Sequence, residues 1–543
     1  MDPSRSLSLD SLITIFSLLQ EEDLLRASAV CKVLRISLML KSPERERRAD
    51  DSLSPSGLAL CSKDTMALER WSFCNLWKLV SGSSLRSWKE YYLRRSHLEM
   101  KMKSGRSSCD YSCKSLRGHK GRVVGLAYLA GNDDCFDIES PSPVVCSAST
   151  DGTVKAWDLQ KGVCLWTSAG RTPLQELTVD PARGVLFTSD SRGTIRSWSG
   201  VTGQEEACYD SGFSRSTLVF FSCRDSAFLG VGSPLGSLLV LSCPALSEAS
   251  RHVVCDAFVL NLLCTSPDQK WIFAGSRENP DGSPKVFWTQ GVCFPAEDVL
   301  DSVSLLLPCS GCCAACFLPA ASARLALLHS ESHSSNTSLS IFELGLSESR
   351  DLLITRLEDQ ANDYKHLAGG EHPQRSWEHR DMESAGEAAS GGVMQSVEDA
   401  LIFNRLDKLH QLCSFQVEVS HGPDVILEAS SSALLFSAGN HLKVYTLRGD
   451  LMADFQDHTQ PIAALCVDSF RVVTASRDLS LRVLTWRKDP VHGLSLEGRY
   501  HLLGGSLSRS RGFSAVACDY SSIVASVESL DGNDVLKAYV FDF

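Results

Sequence analysis

The sequence predicts a mainly β fold: a β-propeller of about eight blades, with seven as the alternative, preceded by a small α-helical N-terminal region. Three observations predict it. From Gly118 onward, short runs of Val, Leu, Ala, Ser and Cys alternate with turn residues, as in an all-β repeat domain. One unit is sharp, with Gly118-His119, then Val123-Val124-Gly125-Leu126-Ala127, then VVCSASTDGTVKAWD, and weaker copies follow it. The strand-like run Tyr111 to Leu116 precedes that unit and can complete the last blade, so that the ring closes without an open edge.

Composition bounds the function. The 543 residues are 43% hydrophobic and 22% charged, which is globular composition. A net charge of −12 argues against a nucleic-acid binder that works by neutralising phosphates. The N-terminus MDPSRSLSLDSLITIF has no basic region leading into a long apolar core, so secretion is not expected. The 21 cysteines then read as thiols in a reducing compartment, and a cytoplasmic or nuclear location is expected. The most apolar stretch, Val303 to Leu328, is broken by Pro308, Pro319 and Arg324, so no membrane span is expected.

In the first forty residues, Leu12, Ile15, Phe16 and Leu19 recur at helical spacing and make one apolar face. Asp23 is placed to cap a second short helix carrying Leu24, Leu25 and Val30. Two helices this short bury little surface alone and call for a partner. The run Leu7-Ser8-Leu9-Asp10, then Ile15-Phe16-Ser17-Leu18-Leu19, then Asp23-Leu24-Leu25-Arg26 and Val30, resembles the F-box. That resemblance implies docking onto the Skp-family adaptor of SCF ubiquitin ligases through Leu7, Leu9, Leu12, Ile15, Phe16, Leu18, Leu19, Leu24, Leu25 and Val30. Ser8 stands where the family has proline, and Leu34 to Leu68, with its charged Ser/Pro-rich run KSPERERRADDSLSPSG, departs from the third helix of the motif. The expected organisation is an incomplete F-box over 1–40, a disordered insertion over 41–68, a helical linker over 69–110 and the propeller over 111–543. A polar stretch at about 351–411 reads as a second, surface insertion, with one helix over Val397 to Leu412.

Within the first repeat, the Gly-His pair, Ser149, Asp151 and Trp157-Asp158 form the signature of the WD repeat, which this unit resembles. The use of these residues is a hydrogen-bond chain in which His119 bridges to Asp151, with Ser149 and the Trp157 indole as further donors. Later units keep parts of it. The second keeps Trp198 and has Arg192 where Asp151 sat, and the seventh opens at Asp457-His458 with Asp478 in the turn. The fifth is expected over Ala314 to Leu344 and the sixth over Phe415 to Leu447.

F-box and WD repeats together resemble the F-box/WD repeat family, through most of the chain. The resemblance implies a substrate-recognition subunit that binds the Skp-family adaptor, and through it a cullin and a RING subunit, and that presents a protein substrate on the propeller. The alternative is a non-degradative WD-repeat scaffold whose F-box no longer functions. Lys120, Arg122, Arg192 and Arg477 fall in loops and turns of one propeller face and are the candidate substrate-binding residues. Related receptors read phosphorylated segments with arginines, whose fork matches phosphate oxygens.

No catalytic constellation is expected. His379-Arg380-Asp381 copies a kinase tripeptide but has no Gly-rich phosphate loop beside it, and the chain has no P-loop or HExxH. Cys309, Cys312, Cys313 and Cys316 have CxxC spacing, yet the two pairs abut and run into an apolar segment, so buried thiols are expected rather than a metal. No cofactor, metal, nucleic acid or membrane partner is expected.

Overall fold

A computed structural model describes residues 97–106, 110–129, 143–170, 172–294, 304–330, 337–348, 404–418, 425–489, 493–505 and 508–541. The expected F-box and the 41–68 insertion lie outside the described residues, as do 351–403 and the kinase-like tripeptide. Residues 97–104 are helical, and the ring-forming unit begins at Lys101. Among the described residues, no helix is long and apolar enough to cross a membrane.

The described strands form eight four-stranded antiparallel sheets. Blade 1 comprises Val123–Tyr128, Val144–Ser149, Val154–Asp158 and Val163–Thr167, and blade 2 Leu174–Asp180, Val185–Asp190, Thr194–Ser199 and Glu205–Asp210. Blades 3 to 6 begin at Thr217–Cys223, Leu262–Thr265, Cys312–Leu318 and Val425–Ala429. Blade 7 comprises Ile462–Val467, Arg471–Ser476, Ser480–Asp489 and Gly493–Leu503. Blade 8 takes Ser510–Cys518, Ser522–Ser529 and Val535–Val540 from the C-terminal region and Ser112–Leu116 from the start of the propeller sequence. The first strands of consecutive blades touch one another, and the first strand of blade 8 touches that of blade 1, which closes the ring. The closing strand pairs Ser112 with Val540 and Leu116 with Leu536.

Burial explains the composition of the strands. Second strands such as Ala433–Ala438 and Arg471–Ser476 are buried throughout, because a neighbouring blade covers each face. They therefore read as mostly small and apolar runs rather than as alternating ones, with the buried Arg471 as the exception. Fourth strands such as Glu205–Asp210 alternate, since one face meets solvent. The apolar cores lie between blades. Cys146, Ala148 and Ala156 of blade 1 pack with Leu174, Leu186 and Trp198 of blade 2, and the seam of blades 8 and 1 is filled by Leu116, Trp157, Val524 and Leu536.

Two expectations about the middle of the chain need correction. The stretch expected to be insertion and helix continues, from residue 404, as the strand Asn404–Val417, the outer strand of blade 5. Its ladder with Thr337–Glu348 supplies the long-range pairing that a helix would forgo. Phe415 accordingly belongs to blade 5 rather than opening the sixth unit. Its ring meets Tyr445 of blade 6 at 5.4 Å, across the seam.

Candidate binding face of the propeller

The blade 1 hydrogen-bond chain fixes the loop that carries Lys120 and Arg122. His119 Nδ1 lies 3.2 Å from Asp151 Oδ2, and its Nε2 lies 2.7 Å from Ser147 Oγ. The Trp157 indole donates to the same Ser147 hydroxyl at 2.9 Å. Ser147, not Ser149, is thus the middle member. Ser149 ends its strand and spends its hydroxyl accepting the Asp151 amide at 3.2 Å, while the two rings meet deeper in the blade. Asp151 also accepts the Lys120 amide at 2.7 Å and the Thr153 amide at 2.9 Å, which ties the entrance loop to the turn. Burial lowers the His119 pKa, with Asp151 opposing. Burial raises Asp151, but the hydrogen bonds from Thr153 and from the Lys120 amide outweigh it and leave the carboxyl below its usual range. The imidazole and the carboxylate together brace the entrance loop against the turn.

The other blades carry partial versions. In blade 7, His458 Nδ1 meets Asp478 Oδ2 at 3.1 Å and Nε2 meets Thr474 Oγ1 at 2.7 Å. The ladder puts Leu484 where Trp157 stands in blade 1, so the chain ends at Thr474, and the Trp486 indole nitrogen is buried without a partner. In blade 2 the Trp198 indole donates to Thr188 Oγ1 at 2.9 Å. Arg192 does hold the turn position of Asp151, and Asp190 substitutes from nearby. It accepts from the Thr172 hydroxyl, from Arg196 at 2.6 Å and from the Arg192 amide at 2.9 Å.

On the same face, blades 7, 8 and 1 bring three guanidinium groups to one buried carboxylate. Glu528, at the end of the second strand of blade 8, is 4% exposed. Its oxygens lie 2.7 Å from Arg477 in the blade 7 turn, 3.5 Å from Arg122 at the entrance to blade 1 and 3.6 Å from Arg511 in the first strand of blade 8. Gly512 permits the approach. Its φ is +115°, and a Cβ there would stand 2.3 Å from Arg477 Cα. The neighbouring Asp534 is committed to the Val123 and Ser529 amides at 2.8 and 3.0 Å. Burial raises its carboxyl, with Glu528 adding and Arg122 opposing. Even with Asp534 beside Arg122, the three arginines outnumber the carboxylates, and the side chains of Arg122 and Arg511 are 60% and 59% exposed, so the rim has cationic donors accessible to an anion.

Of the four candidate residues, Arg122 and Arg477 therefore share one site. Lys120 stands exposed beside it in the same loop, and Arg192 stands exposed in the blade 2 turn, outside the Glu528 pairings. Sequence reading missed Arg511 and Glu528. The available signal was the Arg509-x-Arg511 pair at the opening of the last unit, the place Arg122 holds in the first.

The cysteine run is split by its strand. Cys312 and Cys309 pack into the seam of blades 4 and 5, whereas Cys316 and Cys313 pack into the seam of blades 5 and 6. Burial pushes the Cys309 thiol up to about 12 and those of Cys312 and Cys316 well above the usual range. Among the described residues, no group of three or more His, Cys, Asp or Glu side chains is placed to hold a metal ion.

Known proteins are similar to this chain. Residues 111–158 match the family model for the WD domain, G-beta repeat, which spans the closing strand and most of blade 1. The chain is 25% identical to F-box/WD repeat-containing protein 12 of Homo sapiens over 495 residues, covering 88% of this chain and 90% of the relative. It is also 34% identical over 80 residues to WD repeat-containing protein 18 of Danio rerio, covering 15% of this chain and 16% of that protein. Among solved structures it is similar to the Dos1 propeller, at 10% identity and a TM-score of 0.49, covering 79% of this chain and 95% of that one.

Proposed function

We propose that this WD-repeat protein, a relative of the F-box/WD repeat-containing proteins, is the substrate-recognition subunit of an SCF-type ubiquitin ligase. The observation that carries the reading is the likeness, through 88% of the chain, to a relative named for both modules. The N-terminal apolar face of Leu12, Ile15, Phe16 and Leu19 holds the Skp-family adaptor, and the propeller holds a protein substrate. The chain is not an enzyme in this reading. Its contribution is proximity, which raises the effective concentration of a substrate lysine beside the charged conjugating enzyme. Arg122, Arg477 and Arg511, gathered around Glu528, suit a phosphorylated segment, because the guanidinium fork matches phosphate oxygens.

Mixing the purified full chain with purified Skp-family adaptor tests the N-terminal half. A complex is expected on size exclusion, and the double variant Leu12→Ala, Phe16→Ala is expected to lose it while keeping the β-rich circular dichroism of the wild type. Absence of a complex with the unaltered chain would instead favour the scaffold role.

A further inference from the structure

On the seam of blades 3 and 4, two thiols that no function described so far uses are brought together from residues far apart in the chain. Cys223 ends the first strand of blade 3, just before a tight turn whose two central residues, Arg224 and Asp225, have φ of 48° and 62°. Cys293 ends the short helix Thr289–Cys293, which follows the third strand of blade 4 and packs against the first and fourth strands of blade 3. That helix is pinned from blade 3 by the Ser250 hydroxyl, which donates to the Val292 carbonyl at 2.5 Å. Phe221, Phe228, Val292 and Cys293 belong to one apolar cluster, against which Cys223 packs.

The two thiols differ in their surroundings. Cys293 is buried, 5% exposed, in the cluster against which Cys223 packs, and the two thiols interact. Cys223 is only partly buried. It faces Arg224, whose guanidinium lies 5.5 Å from the Phe294 ring centroid, and the Thr289 hydroxyl. The bond from Cys293, then that from Thr289, then the Arg224 charge pull the Cys223 thiol down to about 7 against the burial that raises it. The interaction with Cys223 and burial push Cys293 up. A partly exposed thiolate with a cation beside it and a second thiol in contact is the arrangement of a peroxide-reactive cysteine and its resolving partner. Elsewhere in the ring burial works the other way, raising the thiols of Cys146, Cys243 and Cys309 to about 12.

We propose that Cys223 and Cys293 are a reversible oxidation site, at which hydrogen peroxide converts the pair to a disulfide stapling blade 3 to blade 4. The Cys223 thiolate attacks one peroxide oxygen, the O–O bond breaks, and the departing hydroxide takes up a proton as water, leaving a sulfenic acid. The Cys293 sulfur then attacks the sulfenic sulfur. The S–O bond breaks, and the hydroxyl leaves as water with the Cys293 proton. Two thiols lose two electrons and one peroxide becomes two waters. A thiol reductant reverses the change.

The test is peptide mapping of the full chain after treatment with one equivalent of hydrogen peroxide, quenched by alkylation without reductant. The Cys223–Cys293 linked peptide is expected as the dominant disulfide, and it should disappear on adding dithiothreitol. In Cys293→Ser, dimedone should label Cys223 at least tenfold faster than the exposed Cys113, Cys164 or Cys208. Absence of the linked peptide from the unaltered protein overturns the proposal without reference to any variant. So does labelling of Cys223 no faster than that of the exposed cysteines.

Discussion

Replacing Arg471 with alanine costs about 3–5 kcal/mol of folding stability, among the largest losses expected of any single change in the ring. The guanidinium is fully buried at the seam of blades 7 and 8. Its Nε donates to Asp468 Oδ2 at 2.7 Å, and one terminal nitrogen donates to the Asp519 carbonyl and, at 3.5 Å, to that of Ser522. The other reaches Met102 Sδ at 3.6 Å, and the group lies 4.9 Å from the centroid of the Phe470 ring. Truncation takes the cation from Asp468 and from the buried Asp519 and removes the donor to the Asp519 carbonyl, while the Ser521 and Ser522 amides keep their bonds to the Asp519 carboxylate. Burial already raises the Asp519 pKa, while hydrogen bonds from Ser522 and the Arg471 charge hold it back. A carboxyl raised in the folded state favours folding fully below its unfolded pKa, and that contribution is lost as pH rises through the folded value. Removing Arg471 raises the folded value further. The deficit of Arg471→Ala is therefore expected to be smaller at pH 5 than at pH 8, and urea denaturation at the two pH values checks it.

Trp157→Ala is expected to cost a similar 3–5 kcal/mol, and Trp157→Phe about 1–2 kcal/mol. The ring fills the core that joins blades 8 and 1, in one cluster with Leu116 of the closing strand and with Val524 and Leu536. Alanine empties that seam, where the first and last strands of the propeller meet. Phenylalanine fills most of it but removes the indole donor to Ser147, which keeps its bond to His119. The two variants separate packing from the hydrogen bond, and the same urea titration reads both.

What the sequence showed follows from what is local. Strand alternation, the Gly118-His119 pair and the spacing of Asp151 and Trp157 are all contained in one unit, and they predicted the ring and its closing strand. The choice between Ser147 and Ser149 was lost because both lie on one face of the strand, and only the depth of the rings decides it. The Glu528 site was missed because Arg122 and Glu528 are brought together only by closure of the ring, from opposite ends of the propeller sequence. Arg471 reads as one more charged residue until blade 8 buries it. Asn404–Val417 is polar enough to pass for a loop, and becomes a strand because Thr337–Glu348 offers it a ladder.

The most direct test of a two-ended receptor is capture of the tagged full chain from proteasome-inhibited cells, comparing three forms side by side. The unaltered chain is expected to bring down both the Skp-family adaptor and a phosphorylated protein. Leu12→Ala with Phe16→Ala should lose the adaptor and keep the phosphoprotein. Arg122→Gln, Arg477→Gln and Arg511→Gln, combined with Glu528→Gln so that no buried charge is stranded, should keep the adaptor and lose the phosphoprotein by about tenfold or more. If the arginine variant holds the phosphoprotein as well as the unaltered chain does, or if the unaltered chain brings down no adaptor, the account is wrong.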